Sequence, residues 1–298
     1  MRILISGASG LIGSALSSSL TAAGHTVTRL VRREAAAGEF TWQPASGELD
    51  AAAFDGCDAV INLAGVNIGE KRWTDDYKRS LLSSRVETTQ LLAATMAGLD
   101  HKPAVFLSGS AVGWYGDRGD ERLDELSAPG TDFLSDLCQK WEAATTAAHE
   151  AGIRVVHLRT GIVLSARGGA LKKQVPLFKL GLGGRFGSGH QWQSWISIDD
   201  EVGAISHLLS SDVHGAVNLT APNPVTNIEF TATLAKVLHR PAVLPIPMFG
   251  PKLLLGSELV EALLLSSQRV LPTALQRSGY EFKHETLDTA LRETLKRR

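Results

Sequence analysis

A short apolar run that passes directly into a glycine-rich turn is the feature that most constrains this chain. Residues 2–6 have the length and β-branched content of a buried strand, and they lead into a turn at residues 7–13. Apolar residues at helical spacing follow from Leu11 to Ala23, and Gly24 stands where a helix cap is expected. The pattern predicts a strand, a tight turn and the start of a helix.

Three glycines in this turn, Gly7, Gly10 and Gly13, suit the approach of a phosphate group. One glycine lets the chain reverse, one lets backbone N–H groups approach a pyrophosphate, and one lets the new helix pack against the strand. The helix N-terminus adds the positive end of its dipole and free donors. A glycine triplet is weak evidence by itself, but its place between a strand and a helix favours a dinucleotide site over a surface turn.

Composition and charge exclude several classes of protein. The 298 residues are 44% hydrophobic and 20% charged, with a net charge of −1, so there is no electrostatic reason to bind nucleic acid or an acidic membrane. The two cysteines are far apart and the nine histidines show no metal-ligand spacing. We therefore expect no metal, and a reducing, cytoplasmic location.

Two arginines follow the second predicted strand, His25 to Val31. An acidic residue usually stands at this position when the cofactor has a free ribose 2′-hydroxyl. Arg32 and Arg33 suit a phosphate monoester instead, because guanidinium groups form charge-assisted bonds with phosphate oxygens. The alternative is a solvated basic pair on a loop. The pair therefore predicts NADP(H) as the cofactor.

Strand and helix patterns alternate along the first half of the chain. We predict strands at 58–63, 104–107 and 153–159 and helices at 74–98 and 131–151, with a loop-rich crossover at 34–57. The alternation predicts an α/β fold with a Rossmann-type, doubly wound parallel sheet. Beyond Ser165 the chain becomes rich in glycine. We divide it into a cofactor domain at 1–165, which the chain rejoins at about 195–222, and a smaller C-terminal substrate lobe with a helical module at 166–298.

Several motifs occur in an order that resembles the extended short-chain dehydrogenase/reductase superfamily. In chain order they are Gly7-x-x-Gly10-x-x-Gly13, Asn62-Leu63-Ala64-Gly65, Lys71-Arg72-Trp73, Ser84-Arg85, Ser108-Gly109-Ser110, Tyr115-Gly116, Lys140-Trp141-Glu142, Arg159-x-x-x-Val163, Gly181-Leu182-Gly183-Gly184, Gly187-Ser188-Gly189 and Trp195-Ile196. More narrowly, the set resembles the atypical subgroup called epimerase family proteins, over nearly the whole chain. The segment after about His239 resembles that subgroup's own C-terminal module.

The resemblance implies cofactor-binding roles for individual residues. The pyrophosphate would be held by Gly7, Gly10, Leu11, Ile12 and Gly13, and the 2′-phosphate by Arg32. The adenosine and pyrophosphate path would be lined by Leu63 and Ala64, Arg85 would reach the cofactor from below, and Val163 would offer backbone contact to the nicotinamide end.

At one decisive place the chain departs from the superfamily. Reductases and epimerases of this kind use Tyr-x-x-x-Lys, in which the lysine lowers the pKa of the tyrosine so that it can take a proton from the substrate. No tyrosine here has a lysine four residues later, and Leu134 and Cys138 stand at the expected positions. Ser110 matches the superfamily's serine, and Tyr115 is the phenol near it. These two are the candidate acid–base residues; the alternative for Tyr115 is a packing role.

Two functions fit these features. The first is an NADP(H)-dependent oxidoreductase or epimerase acting on a small hydroxy or carbonyl substrate. We expect its activity first as NADPH-dependent carbonyl reduction, because a tyrosine without the lysine donates a proton more readily than it accepts one. The second is a catalytically idle NADP(H)-binding protein that reports the cofactor state to a partner. We also expect the leucines of residues 249–265 to form a buried stripe, part of which could serve a homodimer.

Overall fold

One large sheet organises the molecule, whose computed structural model describes residues 1–242 and 244–296. The strands are β1 (Arg2–Ser6), β2 (Thr26–Val31), β3 (Glu39–Gln43), β4 (Glu48–Leu49), β5 (Ala59–Asn62), β6 (Val105–Ala111), β7 (Arg122–Leu123), β8 (Arg154–Thr160), β9 (Ile162–Leu164), β10 (Trp192–Gln193), β11 (Trp195–Ser197), β12 (Gly215–Leu219), β13 (Val225–Thr226) and β14 (Arg269–Val270). Eight form the sheet in the order β12-β8-β6-β5-β1-β2-β3-β4, parallel throughout except between β3 and β4. The strand order reverses at β1, so the predicted doubly wound fold is confirmed.

Helices lie on both faces of this sheet and in the chain beyond it. They are α1 (Leu11–Ala22), α2 (Asp75–Ala97), α3 (Phe133–Ala143), α4 (Thr146–Glu150), α5 (Gly169–Lys179), α6 (Ile198–Ser210), α7 (Asn227–Leu238), α8 (Phe249–Leu255), α9 (Ser257–Val260), α10 (Thr273–Arg277) and α11 (Leu287–Lys296). Because successive strand residues point to opposite faces, Ile3 and Ile5 pack with α1 and α6 while Leu4 packs with α2. The carboxyl ends of the parallel strands meet at one edge, where open α/β sheets bind ligands.

Three predicted elements differ from the structure. The crossover at 34–57 contains β3, which pairs with β2 and widens the sheet; its five residues are too few to give a clear periodicity. Strand β6 continues beyond the predicted end at 107, through Ser108 to Ala111, because its polar side chains are buried against polar partners. The predicted helix at 131–151 is two helices, since α3 ends at Ala143 and α4 begins at Thr146.

The chain beyond Ser165 is more regular than its glycine content predicts. Residues 169–179 form α5, and β12 joins the main sheet beside β8. Two small pairings fasten the later chain to the part before Ser165, β9 with β11 and β7 with β14, and a third, β10 with β13, lies within the later chain. The pairing of β7 with β14 is the more distant along the sequence. Strand β14 thereby attaches the C-terminal segment to the chain that follows β6, so the two parts of the chain share one core.

The predicted leucine stripe at 249–265 is only partly buried. Leu259 is 3% exposed, whereas Leu253 and Leu254 of α8 are 76% and 78% exposed. The prediction is wrong at these two leucines because α8 stops at Gly256, whose φ of +89° redirects the chain before α9 and breaks the continuous helical face. Within residues 1–242 and 244–296, the helices are too short or too polar to cross a membrane.

Candidate functional site

The glycine turn after β1 is closed to other side chains at two positions. Gly7 has a φ of +73°, and a Cβ atom there would lie 2.5 Å from the carbonyl oxygen of Leu63. A Cβ atom at Gly13 would lie 2.2 Å from the carbonyl oxygen of Gly7. The N–H of Gly10 donates to that same oxygen at 3.0 Å. The turn, the end of β5 and the start of α1 are therefore in backbone contact, as a dinucleotide-binding turn requires.

Asn62, the last residue of β5, ties this turn to its neighbours. Its Oδ1 accepts from the Ser6 hydroxyl at 2.5 Å and from the N–H of Ala64 at 3.2 Å, and its Nδ2 donates to Thr89 of α2 at 2.8 Å. Asn62 has no exposed surface, so these bonds are shielded from water. They fix the positions of Leu63 and Ala64, the residues expected to line the cofactor path.

The two arginines after β2 have different environments. Arg33 forms a two-pronged ion pair with Glu39 of β3, with N–O distances of 2.7 and 2.8 Å. The bond to Arg33 is the main reason that the pKa of Glu39 is lowered. Arg32 is exposed, and its guanidinium has no hydrogen bond or ion pair to any residue that the structure describes. Arg32 therefore has the free charge that a phosphate group needs.

Arg85 of α2 braces the segment that follows β5. Its Nη1 donates to the carbonyl of Leu81 and its Nη2 to that of Val66, both at 3.0 Å, and its guanidinium carbon lies 5.1 Å from the ring centre of Trp141. Burial lowers the pKa of Arg85. A Cβ atom on Gly65 would lie 3.2 Å from the guanidinium carbon, so Arg85 supports the backbone directly beyond Ala64.

The remaining predicted cofactor residues also lie at the carboxyl edge of the sheet. Val163 is in β9, paired with Ile196 of β11. Ile12 and Val163 border the same hydrophobic cluster, and the side chain of Leu11 lies 3.0 Å from where a Cβ atom would stand on Gly168. The fold thus brings residues more than 150 positions apart in the chain to one site.

Comparison with known proteins agrees with this geometry. Residues 3–220 match the model of the NAD dependent epimerase/dehydratase family. The chain belongs to this family. Residues 246–294 match a domain of unknown function, DUF1731, so the predicted resemblance of the segment after about His239 to a C-terminal module is confirmed.

Named relatives of the family cover the whole chain. Epimerase family protein Mb2239 of Mycobacterium bovis is 47% identical over 291 residues, covering 97% of this chain and 96% of the relative. Epimerase family protein SDR39U1 of Homo sapiens is 39% identical over 297 residues, covering 98% and 99%. The predicted membership of the epimerase family subgroup is therefore confirmed.

Solved structures of similar proteins have the same fold. The crystal structure of human epimerase family protein SDR39U1 (isoform2) with NADPH is 37% identical, covers 100% of both chains and has a TM-score of 0.91. MoeE5 in complex with UDP-glucuronic acid and NAD is 19% identical, covers 100% of this chain and 99% of its own, and has a TM-score of 0.78. At that lower identity the likeness concerns the fold alone.

Tyr115, a candidate acid–base residue of this epimerase/dehydratase family member, is buried. Its side chain has no exposed surface; its hydroxyl donates to Oδ1 of Asn218 at 2.7 Å and accepts from Nη1 of Arg159 at 3.2 Å. Burial raises the pKa of Tyr115 to about 12, although Arg159 opposes this. A general acid must reach the substrate oxygen. The burial speaks against the expected proton-transfer role and favours the packing alternative.

Ser110 lies at the other end of the same buried network. Its hydroxyl donates to Oε1 of Glu142 at 2.7 Å, and Arg159 donates to the two oxygens of that carboxylate at 2.8 and 2.9 Å. Ser110 is the next-to-last residue of β6, and its side chain therefore lies near the edge where the cofactor residues meet. Ser110 remains the candidate hydroxyl of the site.

Leu134 and Cys138 stand where the superfamily has tyrosine and lysine. They are 8% and 2% exposed and pack in one apolar cluster with Trp141 and Leu259. Burial raises the pKa of the Cys138 thiol to about 12. Neither side chain can exchange a proton with a substrate at neutral pH, so any proton transfer here needs other groups.

Two carboxyl groups, one buried and one half-buried, give no signal in the sequence. Glu201 of α6 has no exposed surface; its Oε1 accepts from the Thr160 hydroxyl at 2.9 Å, and its Oε2 has no partner among the described residues. Burial raises the pKa of Glu201 to about 8. Glu125 accepts from the N–H groups of Asn218 and Ala274 at 3.1 and 3.0 Å, which links β12 to α10. An acidic residue in a first helical turn is usually exposed, so pattern alone does not reveal Glu201.

Proposed function

We propose that this chain is an NADP(H)-dependent oxidoreductase that acts on a small hydroxy or carbonyl compound. The observation that carries the proposal is the free guanidinium of Arg32 beside a glycine turn whose backbone contacts leave no room for a Cβ atom at Gly7 or Gly13. The crystal structure of the human relative SDR39U1, 37% identical, contains NADPH and supports this choice of cofactor.

The residues at the carboxyl edge of the sheet fit this cofactor. The N–H groups at the start of α1, from Leu11 onward, would bind the pyrophosphate with the help of the helix dipole. Arg32 would bind the 2′-phosphate through charge-assisted bonds. Leu63 and Ala64, held by Asn62, would line the path between these points.

The reaction divides between cofactor and protein. NADPH, when bound, supplies a hydride at the nicotinamide ring, and the protein must position the substrate and move one proton to or from its oxygen. The predicted hydroxyl of Ser110 lies near this edge and is hydrogen-bonded to Glu142. Its hydrogen-bonded position suits it to hold the substrate oxygen.

A specific observation favours a second function, that of a catalytically idle NADP(H)-binding protein that reports cofactor state to a partner. The family's acid–base pair is replaced by the buried Leu134 and Cys138, and the phenol of Tyr115 is buried as well. A protein with these features could bind the cofactor without turning it over. Cofactor binding is common to both functions, and turnover separates them.

The test is calorimetric titration with NADPH followed by an NADPH-consumption assay over a panel of aldehydes, ketones and quinones. Binding with turnover of any carbonyl compound supports the oxidoreductase, and Ser110→Ala should then lower turnover while NADPH affinity stays the same. Binding without turnover over the panel favours the idle reporter. Absence of NADPH binding overturns both.

A cytoplasmic location is part of the same proposal. Cys57 and Cys138 are both free thiols, which suits a reducing compartment. Fractionation of cells that express the tagged chain should place it with the cytoplasmic marker; recovery with an exported marker would contradict the proposal.

A further inference from the structure

A line of polar side chains leads from Ser110 to a groove formed by α3, α4, β8 and β12. The Ser110 hydroxyl donates to Oε1 of Glu142 at 2.7 Å. The other carboxylate oxygen of Glu142, Oε2, lies 3.6 Å from Nδ1 of His157. Nε2 of His157 lies 2.9 Å from the hydroxyl oxygen of Thr145. The side chain of Glu142 thus lies between the Ser110 hydroxyl and the imidazole of His157.

The groove has a volume of about 870 Å³ and both Glu142 and His157 contribute to its lining. The His157 side chain is 18% exposed, and two exposed histidines, His149 and His214, line the same groove. Water in this groove can therefore reach His157, whereas Glu142 is 7% exposed and Ser110 5%. The polar line connects a buried hydroxyl with solvent.

The hydrogen-bond pattern determines the tautomer of His157. The Thr145 hydroxyl donates its proton to the carbonyl oxygen of Glu142 at 2.7 Å, so toward His157 it can only accept. Nε2 of His157 must then carry the proton, and Nδ1 is an unprotonated acceptor that faces Oε2 of Glu142. In this tautomer Nδ1 of His157 can accept a proton from the carboxyl group of Glu142.

The state of Ser110 follows in the same way. Arg159 donates to both carboxylate oxygens of Glu142, and the Ser110 hydroxyl donates to Oε1 of the same carboxylate. The lone pairs of Ser110 Oγ are then free to accept a proton from a substrate hydroxyl. The hydrogen bond from Ser110 to Glu142, the first of the two that a path to His157 needs, is therefore already made in the required direction.

We propose that Ser110, Glu142 and His157 form a proton relay that takes the place of Tyr-x-x-x-Lys, a proposal that rests on the oxidoreductase function. In alcohol oxidation the substrate C–H bond breaks and its hydride passes to the oxidised cofactor. The substrate O–H proton passes to Ser110 Oγ, and the Ser110 proton passes to Oε1 of Glu142. The carboxyl group then turns to present this proton to Nδ1 of His157, which releases one proton to the groove. Carbonyl reduction runs the same steps backwards and takes one proton from solvent.

The step between Glu142 and His157 needs a small adjustment. At 3.6 Å the two atoms are in ion-pair range but too far apart for a direct hydrogen bond. A small rotation of the imidazole, or a water between the two groups, closes the path. The open groove leaves space for either.

The charges around His157 set the direction that the relay favours. Burial lowers the pKa of His157, Glu142 of α3 raises it, and Arg159 of β8 and His149 of α4 lower it further. Arg154 of β8 and His214 beside β12 complete the titratable groups that line the groove. His157 is therefore neutral at pH 7 and can accept a proton during alcohol oxidation. The rate of carbonyl reduction, which consumes a proton, should rise as the pH falls toward the pKa of His157.

The test uses NADPH and phenanthrenequinone, a carbonyl probe of broad reactivity, with His157→Gln as the variant. Glutamine can keep the bond to Thr145 but cannot carry a proton. We expect turnover to fall by about 10² while the melting temperature and NADPH affinity stay the same, and added imidazole to restore part of it through the groove. His214→Gln, at an exposed histidine of the same groove, is the matched control that should keep wild-type turnover.

Each outcome decides between the proposals. Wild-type turnover that His157→Gln leaves unchanged, with an unchanged pH profile, overturns the relay alone. Absence of wild-type turnover with the quinone and with every other member of the carbonyl panel overturns the relay together with the oxidoreductase function on which it rests.

A second measurement is independent of activity. The titration midpoint of His157 in the cofactor-free protein, read from histidine NMR signals, should fall in Glu142→Gln because the carboxylate that raises the pKa is lost. An unchanged midpoint in the folded variant overturns the relay. If Glu142→Gln leaves Arg159 unpaired and fails to fold, His157→Gln decides the question.

Discussion

The hydroxyl of Tyr115 donates to Oδ1 of Asn218 at 2.7 Å, across 103 positions of the chain. Asn218 lies in β12, and its Nδ2 donates to the carbonyl of Leu271 at 3.0 Å, just before α10. Tyr115 thus joins the turn after β6 to the edge of the sheet and, through Asn218, to the C-terminal module. This bond gives Tyr115 a structural role, the packing alternative that the sequence left open beside an acid–base role.

Tyr115→Phe separates these two roles. If Tyr115 transferred protons, turnover would fall by about 10²–10⁴ with stability little changed. We expect instead that the free energy of unfolding falls by about 1–3 kcal/mol, because Asn218 loses a buried donor, while turnover and NADPH affinity are retained. Urea unfolding and the quinone assay measure the two quantities on the same preparation. A large loss of turnover in a fully stable variant would restore the catalytic role.

Arg32→Ala tests the preference for NADPH over NADH. Each charge-assisted hydrogen bond to the 2′-phosphate contributes about 1.5–3 kcal/mol, so we expect a preference of at least about tenfold that the substitution removes while NADH affinity is kept. Arg33→Ala is the matched control, because the Arg33 guanidinium is held by Glu39 and should matter little. Equal calorimetric affinities for the two cofactors in the wild type would contradict the assignment.

Gly13→Ala tests the contact between the glycine turn and α1. A Cβ atom there would lie 2.2 Å from the Gly7 carbonyl oxygen, so the turn must open and NADPH affinity should fall at least about tenfold. At Gly10 the same oxygen would lie 3.2 Å away, so Gly10→Ala should have a smaller effect. Titration calorimetry compares the two variants, with circular dichroism to check folding. Similar losses in both would mean that the close approach at Gly13 is not what matters.

Glu201 predicts a dependence of stability on pH. Its pKa is about 8 in the folded chain against 4.5 for an ordinary glutamate, so between these values the folded chain binds a proton that the unfolded chain has released. The contribution of Glu201 to the free energy of unfolding therefore falls as the pH rises from about 4.5 to about 8. Glu201→Gln should be more stable than wild type at pH 8 and differ least near pH 4.5. Glu48→Gln, at an exposed glutamate, is the control, and its free energy of unfolding should change with pH as that of the wild type does. If the free energy of unfolding of Glu201→Gln also changed with pH as that of the wild type does, the argument would be refuted.

The homodimer suggested by the leucine stripe is a prediction that sedimentation velocity checks. Leu253 and Leu254 are adjacent and exposed on α8, and a second copy of the chain would remove them from water. We expect the double substitution of these leucines by glutamate to shift a concentration-dependent dimer to monomer without changing the melting temperature. Leu126→Glu, on a leucine that is 88% exposed, is the control for added surface charge. A wild-type protein that is monomeric at every concentration would exclude this dimer.

The sequence predicted the sheet because short-range patterns of residues specify its strands and turns. The strand at Arg2–Ser6, the glycines at 7, 10 and 13 and the start of α1 at Leu11 are specified by residues within one turn of each other. The same is true of the alternation that continues to β8. The ends of α3 and of β6 were predicted less accurately. The end of α3 depends on where the helix is interrupted, and the end of β6 on whether its polar side chains find buried partners.

The sequence by itself determined the doubly wound fold, the family, the glycine turn and the basic residues after β2, since each is a matter of residue type at short spacing. The tertiary structure alone decided which arginine is free, because Glu39 arrives beside Arg33 through strand pairing. It also decided that Tyr115 is buried and that Ser110 bonds to Glu142. The partners in that network come from β6, α3, β8 and β12, and no periodicity in the chain reports a hydrogen bond between residues that only the packing of the sheet brings together.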